Sequence, residues 1–348
     1  MNIIWACLLL AGGLLVLWKS ADLLVAGAIV LAQHLGVSPL VVGLTIVAMG
    51  TSAPEVAASI AAAARGAGDI AVGNVFGSNI ANLALVGGLA ALIRPISIQR
   101  QTMRREIPVM LLVALLLWPI LHNKHLWRGE GIALLAVFTS LILLTVHLAR
   151  REAAENKTNT EDAEKNEKMD SRLRGNDIKN ENDINDNTSA KEHERRVLKG
   201  CVLFIVIGLA GLALGAEMTV RGAVVIGRRI GLSEAVIGLT FVAIGTSLPE
   251  LATCVVASIK AQHDISIGNL VGSNIFNTLL VTGTAGTISS FEITSRLAAG
   301  SDYWIMIAVS AAFAVLAVLG KRVISRLAGS ILLCTYIAYM IYLFFFSG

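Results

Sequence analysis

Charged, aromatic, proline and cysteine residues are all scarce in this chain. Only 15% of the 348 residues are Asp, Glu, Lys or Arg, 5% are aromatic, and there are 6 prolines and 4 cysteines. The cysteines stand singly in apolar runs, so the sequence indicates neither a disulfide framework nor a cysteine metal site, and we expect buried free thiols. The formal net charge of +4 is too small to predict a nucleic-acid surface.

Apolar residues are abundant. They make up 55% of the chain, and the mean hydropathy is +0.72, which excludes an ordinary soluble protein and indicates one that crosses the lipid bilayer many times. Residues 150–199 hold 25 of the 52 charged side chains. The N-terminal apolar stretch lacks a basic n-region and a small-residue cleavage site, so we expect it to be a retained first helix.

Runs of roughly 20 apolar residues predict ten transmembrane helices, five in each half. The predicted spans are 3–33, 39–64, 70–93, 106–121 and 130–149, then 199–227, 234–259, 265–288, 303–320 and 326–346. The charged segment 150–197 cannot bury a core, so we expect a disordered loop there. The sequence thus predicts an all-α polytopic membrane protein with halves 1–149 and 198–348.

The two halves contain an internal repeat. Residues 43–88 align with 238–283 at a constant offset of 195 without a gap, and 24 of the 46 aligned positions are identical. Both copies contain Gly-Thr-Ser-x-Pro-Glu and Gly-Asn-x-x-Gly-Ser-Asn-Ile-x-Asn. An odd number of spans per half inserts the second copy with opposite orientation, so we expect an inverted-topology repeat with a site between the halves.

Lys and Arg in short loops predict the orientation, because they are enriched on the cytoplasmic side. With the N-terminus outside, that side receives most of the loop cations: Arg94, Arg100, Arg104, Arg105, Arg150, Arg151, Arg195, Arg196, Lys199, Lys321, Arg322 and Arg326. We therefore expect an inner-membrane protein with both termini outside, in the periplasm, and the loop 150–197 in the cytoplasm.

Glu55 and Glu250 lie deep within apolar spans, at equivalent positions of the repeat. A charge at the bilayer centre costs about 2.5–3.5 kcal/mol on insertion scales, so such a residue usually faces a polar interior and has a function. Pro54 and Pro249 precede them, and a proline inside a helix frees backbone carbonyls. A broken helix of this kind is tolerated in a membrane where it lines a cavity.

Further oxygen donors share these helices and the next helix of each half: Thr51 and Thr246 one turn before the glutamates, and the pairs Ser78 and Asn82, Ser273 and Asn277 at i, i+4. A set of oxygen ligands without His or Cys suits hard cations such as Ca²⁺ and Na⁺. Two carboxylates would neutralise one Ca²⁺. We therefore predict a hard-cation site and no cofactor.

Some polar residues have a structural explanation that competes with a functional one. Ser52, Ser247, Asn79 and Asn274 are explained equally well as hydrogen-bonding contacts between packed helices. Asp22 and Glu217 also correspond across the repeat. Lys19 lies three residues from Asp22, and Arg221 lies four residues from Glu217, so we expect local ion pairs for both acids rather than a transport role.

The paired motifs resemble the two α-repeats of the sodium/calcium exchanger family, within the cation/Ca²⁺ exchanger superfamily, and the chain is most similar to its bacterial members. The motifs cover about 90 residues. The resemblance implies a secondary active antiporter that binds Ca²⁺ and Na⁺ by alternating access. In that mechanism the long first and sixth helices slide against the other eight.

The resemblance also implies a role for each ligand. Glu55 and Glu250 would supply carboxylates shared by both ions, and Ala48 and Ala243 would supply backbone carbonyls alone. The other implied ligands are Thr51, Thr246, Ser78, Ser273, Asn82 and Asn277. Potassium-dependent members carry an aspartate where this chain has Asn277, so the resemblance implies exchange without K⁺. It implies no obligatory protein partner and no nucleic acid.

Three other functions remain to be weighed. A Ca²⁺/H⁺ antiporter could use the same glutamates, because burial disfavours the charged form of a carboxyl group and a proton could replace Na⁺. A passive channel is disfavoured because inverted repeats of broken helices belong to alternating-access designs. An intramembrane enzyme would need a nucleophile–base pair or a metal site of His and Asp within the spans, and the sequence shows neither.

Overall fold

The computed structural model describes residues 2–173, 186–231, 243–295, 297–298 and 300–346, and nearly all of them are helical. In the first half the elements are α1 (Ile3–Leu35), α2 (Pro39–Val42), a π-helical turn (Gly43–Val47), α3 (Ala48–Thr51), α4 (Ala53–Ala64), α5 (Gly68–Ile80), a π-helical turn (Ala81–Val86), α6 (Gly87–Ile93), β1 (Ile96–Ser97), α7 (Arg100–Arg104), α8 (Glu106–Leu121), β2 (His125–Leu126) and α9 (Arg128–Leu173).

Over its described residues the second half follows the same order, with a single helix between its two strands in place of α7 and α8. It contains α10 (Asp186–Arg229), α11 (Ala243–Thr246), α12 (Leu248–Ile259), α13 (His263–Phe276), a π-helical turn (Asn277–Val281), α14 (Thr282–Ile288), β3 (Phe291–Glu292), α15 (Ser301–Leu319), β4 (Val323–Ile324) and α16 (Arg326–Phe346). Helix α1 ends at Gly36, whose φ of 65° is the left-handed conformation that terminates many helices.

Seven of the described helical segments are long and apolar enough to cross a membrane: Ile3–Leu35, Gly68–Ile93, Arg128–Ala149, Arg196–Arg229, His263–Ile288, Ser301–Leu319 and Arg326–Leu343. The bent pair Pro39–Thr51 and Ala53–Ala64 makes eight. The all-α polytopic membrane fold is therefore confirmed, whereas the number ten stays a prediction. Of the other two predicted spans, Glu106–Leu121 has 16 residues, and 234–259 lies partly outside the described residues.

The segment 150–197 requires a correction. We expected disorder, but α9 continues to Leu173 and α10 begins at Asp186, while 174–185 lie outside the described residues. Glu, Lys, Arg and Ala are good helix formers. Extending a transmembrane helix that already exists also needs no new nucleation. The composition therefore prevents a core without preventing a helix.

The expectation that all four thiols are buried also needs a correction. Cys201 and Cys254 are buried, but Cys7 and Cys334 are exposed. An apolar surface in a bilayer can face lipid, so an apolar surrounding sequence does not by itself predict burial in protein.

Two clusters of buried apolar side chains hold the helices together. The larger one joins α4–α6 and α8 to α13–α16, with Phe76, Tyr303 and Phe313 at its centre. The smaller one joins α1 to α10 and α12 through residues such as Leu24, Ile205 and Val256. Helices α1 and α10 thus form a pair set against the rest of the molecule.

Two short antiparallel sheets connect the halves. Strand β1 pairs with β4, Ile96 opposite Ile324, and β2 pairs with β3, Leu126 opposite Phe291. Each sheet takes one strand from each half. The two sheets therefore link the halves at two separate places.

Candidate functional site

Two broken helices position the glutamates. Ser52 separates α3 from α4, which are bent by 43°, and Ser247 separates α11 from α12. Pro54 and Pro249 occupy the first turn after each break, where their missing N–H leaves no hydrogen bond unmade. This confirms the predicted kink at Pro54 and shows a helix break at the equivalent position before Pro249. Each glutamate consequently lies in the first turn of a helix, where the helix dipole favours an anion.

The glutamates are bound reciprocally across the two repeats. The Ser52 hydroxyl donates to Glu250 Oε1 at 3.0 Å, and the Ser247 hydroxyl donates to Glu55 Oε1 at 3.4 Å. Both carboxylates have 0% of their surface exposed. Because each serine lies three residues before the glutamate of its own repeat, the two broken helices must approach each other at their breaks. The site is therefore shared between the halves.

Several buried polar atoms around the glutamates have no hydrogen-bond partner among the described residues. They are Glu55 Oε2, Glu250 Oε2, Ser78 Oγ and both amide atoms of Asn82 and of Asn277. An unsatisfied buried polar group costs about 1–3 kcal/mol, and more when it is charged. A cation bound among the five oxygens of this set would remove that cost for the oxygens, although not for the two amide nitrogens. The donor set therefore fits a hard cation as the ligand.

The remaining predicted residues lie around this group. Ser273 Oγ donates to Glu250 Oε1 at 3.5 Å. The Ala48 carbonyl accepts hydrogen bonds from Ser52 N at 3.0 Å and from the Thr51 hydroxyl at 3.3 Å. Thr246 ends α11 and is half-buried, and Ala243 begins that helix. The roles predicted for these last two rest on their equivalence to Thr51 and Ala48.

Each of the two predicted asparagines lies in a π-helical turn. The sequence did not predict these turns. Asn82 lies in the turn Ala81–Val86, and Asn277 begins the turn Asn277–Val281. Thr282 Oγ1 donates to the Asn277 carbonyl at 3.4 Å, across the five residues of the wider turn. Such turns occur frequently at functional sites. Here both occur at the same repeat position, next to the glutamates.

Three residues of the site were not assigned to it from the sequence. Ser52 and Ser247 were explained equally well as packing residues, yet both donate to the glutamate of the other repeat. Asn269 was not singled out, although it accepts a hydrogen bond from Thr51. The signal that could have identified all three is their identity in both copies of the repeat, at 52 and 247 and at 74 and 269.

The chemistry of the site is that of an oxygen cage with two carboxylates. Within the part of the chain that the structure describes, no three His, Cys, Asp or Glu residues come together as a metal cluster. The additional donors are neutral hydroxyls and amides, which suit Ca²⁺ and Na⁺ better than zinc or copper. The donor types therefore match those that hard cations prefer.

Comparisons with known proteins identify the family of the chain. A family model described as "Sodium/calcium exchanger protein" matches residues 5–146 and 200–345. The chain is 38% identical to inner membrane protein YrbG of Escherichia coli (strain K12), over 89% of this chain and 88% of that protein. It is 33% identical to sodium/calcium exchanger MaX1 of Methanosarcina acetivorans, over 97% of this chain and 98% of that protein.

A solved structure is similar over the whole fold. The sodium-calcium exchanger NCX_Mj, soaked with 10 mM Na⁺ and zero Ca²⁺, superposes with a TM-score of 0.77 at 27% sequence identity. The match covers 98% of this chain and 100% of that one. The similarity therefore extends over both halves of the chain.

Proposed function

The chain belongs to the sodium/calcium exchanger protein family, and on that basis we propose that it is a secondary active antiporter that exchanges Na⁺ for Ca²⁺ by alternating access. One observation carries the proposal. Two fully buried glutamates, one from each repeat, each have one oxygen held by a serine of the other repeat and one oxygen without a partner among the described residues. Such a pair is suited to binding a divalent cation at the boundary between the halves.

The proposed ligands are those expected from the sequence. Glu55 and Glu250 bind whichever cation is present, and neutral oxygens complete the coordination: the side chains of Thr51, Thr246, Ser78, Ser273, Asn82 and Asn277 and the carbonyls of Ala48 and Ala243. Because five unpartnered oxygens of this set are buried among the described residues, the same site is proposed to take one Ca²⁺ or several Na⁺ in competition. MaX1, a relative named sodium/calcium exchanger, supports this choice of ions.

We further propose that ten transmembrane helices form two inverted five-helix repeats, at 1–149 and 198–348. The reciprocal Ser52–Glu250 and Ser247–Glu55 hydrogen bonds support this arrangement, because each half offers the same group to the other. The two sheets support it as well. Strands β1 and β3 follow the two repeat copies at the same offset of 195, and each pairs with a strand of the opposite half.

The protein is proposed to reside in the bacterial inner membrane, with both termini in the periplasm and residues 150–197 in the cytoplasm. The surplus of loop arginines on one side supports this orientation. The relative named inner membrane protein YrbG supports the compartment. Helices α9 and α10 would then extend from the bilayer into the cytoplasm.

Exchange is proposed to be independent of K⁺. Asn277 is fully buried, and both of its amide atoms lack a partner among the described residues. A neutral amide at this position adds no negative charge to the site. A negative charge here would favour the binding of a further cation together with Ca²⁺.

A Ca²⁺/H⁺ antiporter is the second candidate function. Neither glutamate forms an ion pair with a basic residue in the described part of the chain, and both are wholly buried. Burial disfavours the charged form of a carboxyl group, so a proton could take the place of Na⁺. The hydroxyls of Ser78 and Ser273 favour Na⁺, because they offer neutral oxygens that a proton would not need.

Ion flux in proteoliposomes separates the two functions. Purified protein is reconstituted, and Ca²⁺ uptake is measured with an outward Na⁺ gradient or a proton gradient, each with and without K⁺. Uptake driven by Na⁺ and unchanged by K⁺ is the expected result. Uptake driven by the proton gradient alone would replace the first proposal with the second, and no uptake under any gradient would contradict both.

A further inference from the structure

Asn269 connects the two broken helices at the site. It lies in α13 and has 0% of its surface exposed. Its Oδ1 accepts a hydrogen bond from the Thr51 hydroxyl at 3.0 Å, and its Nδ2 donates to Cys254 Sγ at 3.3 Å. Thr51 belongs to the first repeat, whereas Cys254 lies one turn after Glu250 in the second. One amide therefore spans the boundary between the halves.

The hydrogen bond to Asn269 determines whether the lone pairs of the Thr51 hydroxyl can coordinate a cation. A hydroxyl has one proton and two lone pairs. When the proton is donated to Asn269, the lone pairs point elsewhere and can coordinate a cation. The alternative acceptor is the Ala48 carbonyl at 3.3 Å in the same helix, which is longer and already bonded to Ser52 N. Asn269 is thus the better acceptor for the Thr51 proton.

We propose that Asn269 is a positioning residue that orients the Thr51 hydroxyl for cation binding. The inference rests on the proposed function, because it assumes that Thr51 is a ligand. Losing one neutral hydrogen bond should weaken cation affinity about two- to tenfold. The effect requires the hydroxyl, so it should disappear when position 51 has none.

Equilibrium Ca²⁺ binding to purified protein tests this without a transport assay. Asn269→Leu is expected to raise the Kd for Ca²⁺ about two- to tenfold in the wild-type and Thr51→Ser backgrounds. In the isosteric Thr51→Val background it should change nothing. The same increase in the Thr51→Val background would overturn the proposal. Failure of the wild-type protein to bind Ca²⁺ would instead contradict the proposed function.

A separate observation concerns ion pairs at the ends of the broken helices. Lys260 Nζ contacts Asp22 Oδ1 at 2.6 Å, joining the end of α12 to α1. This corrects the expected Asp22–Lys19 pair, whereas the expected Glu217–Arg221 pair is present in α10. The correction arises because α1 packs against a helix of the other half, which brings in a base that local spacing cannot show.

The repeat gives this ion pair a counterpart. At the offset of 195, Asp22 corresponds to Glu217 and Lys260 corresponds to Arg65, so an acid and a base recur at both positions. The counterpart pair Arg65–Glu217 is not formed. Glu217 pairs with Arg221, and Arg65 is exposed and forms no ion pair within the described residues. One of two equivalent links is closed and the other is open.

The packing shows the same asymmetry. Thr253 and Val256 of α12 are 0% and 2% exposed, because α1 lies over them. The equivalent residues of α4, Ala58 and Ala61, are exposed, and α10 makes no comparable contact with α4. Among the described residues, the pair α1 and α10 therefore covers α12 of the second repeat and leaves the equivalent face of α4 in the first repeat exposed. If the two repeats exchanged conformations, α10 would cover α4 and the equivalent face of α12 would be exposed.

We infer that Asp22–Lys260 and Glu217–Arg65 are alternating ion pairs, here called latches, and that one of them is formed, or closed, in each of the two access states. This inference also rests on the proposed function, because it assumes two states related by the repeat. A partly exposed ion pair shifts such an equilibrium about two- to fivefold. Breaking the closed latch should therefore make the other one form more often.

Cross-linking measures this on purified protein, with no ion gradient. Cysteines replace Arg65 and Glu217 after Cys7, Cys201, Cys254 and Cys334 are changed to serine, and a short bismaleimide reports their proximity. Lys260→Glu is expected to raise the cross-linking rate about two- to fivefold. The matched control is Lys321→Glu, an exposed lysine outside both pairs, which should not change it.

An unchanged rate in Lys260→Glu, or an equal increase in Lys321→Glu, would overturn the latch inference. A second cysteine pair at positions 22 and 260 checks that the protein is folded, because it should cross-link readily in the state described here. Flux is measured separately before cross-linking. A protein that shows the coupled cross-linking but no Na⁺-driven Ca²⁺ uptake would contradict the proposed function and leave the latches standing.

Discussion

Glu55 and Glu250 are unusual residues because the fold satisfies the hydrogen bonding of each carboxylate only in part. One oxygen of each is bonded to a serine of the other repeat, and the second has no partner among the described residues. Replacing a buried unsatisfied charge by an apolar side chain would often stabilise a fold. The proposed cation binding accounts for their presence, whereas a contribution to folding does not.

Replacing either glutamate by glutamine should abolish Ca²⁺ flux while the protein still inserts and folds. Glu55→Gln or Glu250→Gln keeps the volume and the bond to the serine, but removes the charge that a divalent cation requires. Flux into proteoliposomes measures the effect, with Glu292→Gln in β3 as an exposed control. Retained flux in either site variant would refute the assignment.

Asn277→Asp should make Ca²⁺ uptake respond to K⁺. The substitution adds a negative charge to a fully buried position, and that charge favours binding of one further cation. The measurement is Na⁺-driven Ca²⁺ uptake at several K⁺ concentrations, compared with wild type. A variant that transports Ca²⁺ but ignores K⁺ would show that this residue does not determine ion choice.

Much of the site could be predicted at this scale because its residues recur in a repeat. The glutamates, prolines and glycines can be recognised in the sequence because their chemistry differs from that of the apolar spans around them. The serines at 52 and 247 could not be decided, since a buried hydroxyl serves packing and binding equally well until its partner is known. Asp22 was assigned to the wrong base for a related reason: sequence spacing reports contacts within a helix and misses those between helices.

At the scale of elements, the close approach of α1 and α10 stands out. A Cβ added at Gly13 would lie 2.7 Å from the Thr219 backbone nitrogen, and one at Gly215 would lie 2.8 Å from the Leu17 backbone nitrogen. These backbones touch with no side chain between them. Small residues allow this kind of packing in membranes, where dispersion contacts replace the hydrophobic effect. The two helices therefore behave as a unit.

Gly13→Ala should destabilise the protein, and Gly12→Ala should not. Overpacking of this kind costs about 1–3 kcal/mol. At Gly12 the added methyl would meet only Met218 Cε at 3.4 Å. Both variants gain the same helix propensity, so they form a matched pair. Thermal unfolding in detergent compares them, and an equal or higher Tm for Gly13→Ala would show that α1 and α10 can separate freely.

The helices themselves were predictable, since apolar length and polar interruption define them. Their finer features were not. The π-helical turns at Asn82 and Asn277 depend on a local widening of the backbone that no residue type specifies. The short strands β1–β4 contain only two residues each, too few for an alternating pattern, and they form because two loop ends meet in space.

At the scale of the whole molecule, the transport unit and the charged segment between its halves are distinct. All predicted ligands lie outside 150–197, and the two apolar clusters are built from helices within the bilayer-spanning parts. The long ends of α9 and α10 extend beyond them. No proposed ligand lies in the segment, so we do not expect it to bind the transported ions.

Replacing residues 155–192 by a short flexible linker should leave basal exchange intact. The change removes no proposed ligand and no residue of the apolar clusters. Na⁺-driven Ca²⁺ uptake, normalised to the amount of reconstituted protein, is the measurement. Loss of uptake in a well-expressed variant would mean that the helical extensions are needed for the transport cycle itself.

The pairing of strands across the halves has a consequence for biosynthesis. Ile96 can pair only after Ile324 has been made, and Glu55 can gain its hydrogen bond only after Ser247 has been made. The first half must therefore wait in the bilayer with an unpaired strand and a buried carboxylate lacking its serine. A ribosome that stalls between the halves would release a product recognisable to quality-control proteases by those groups, so assembly completes only when both repeats are present.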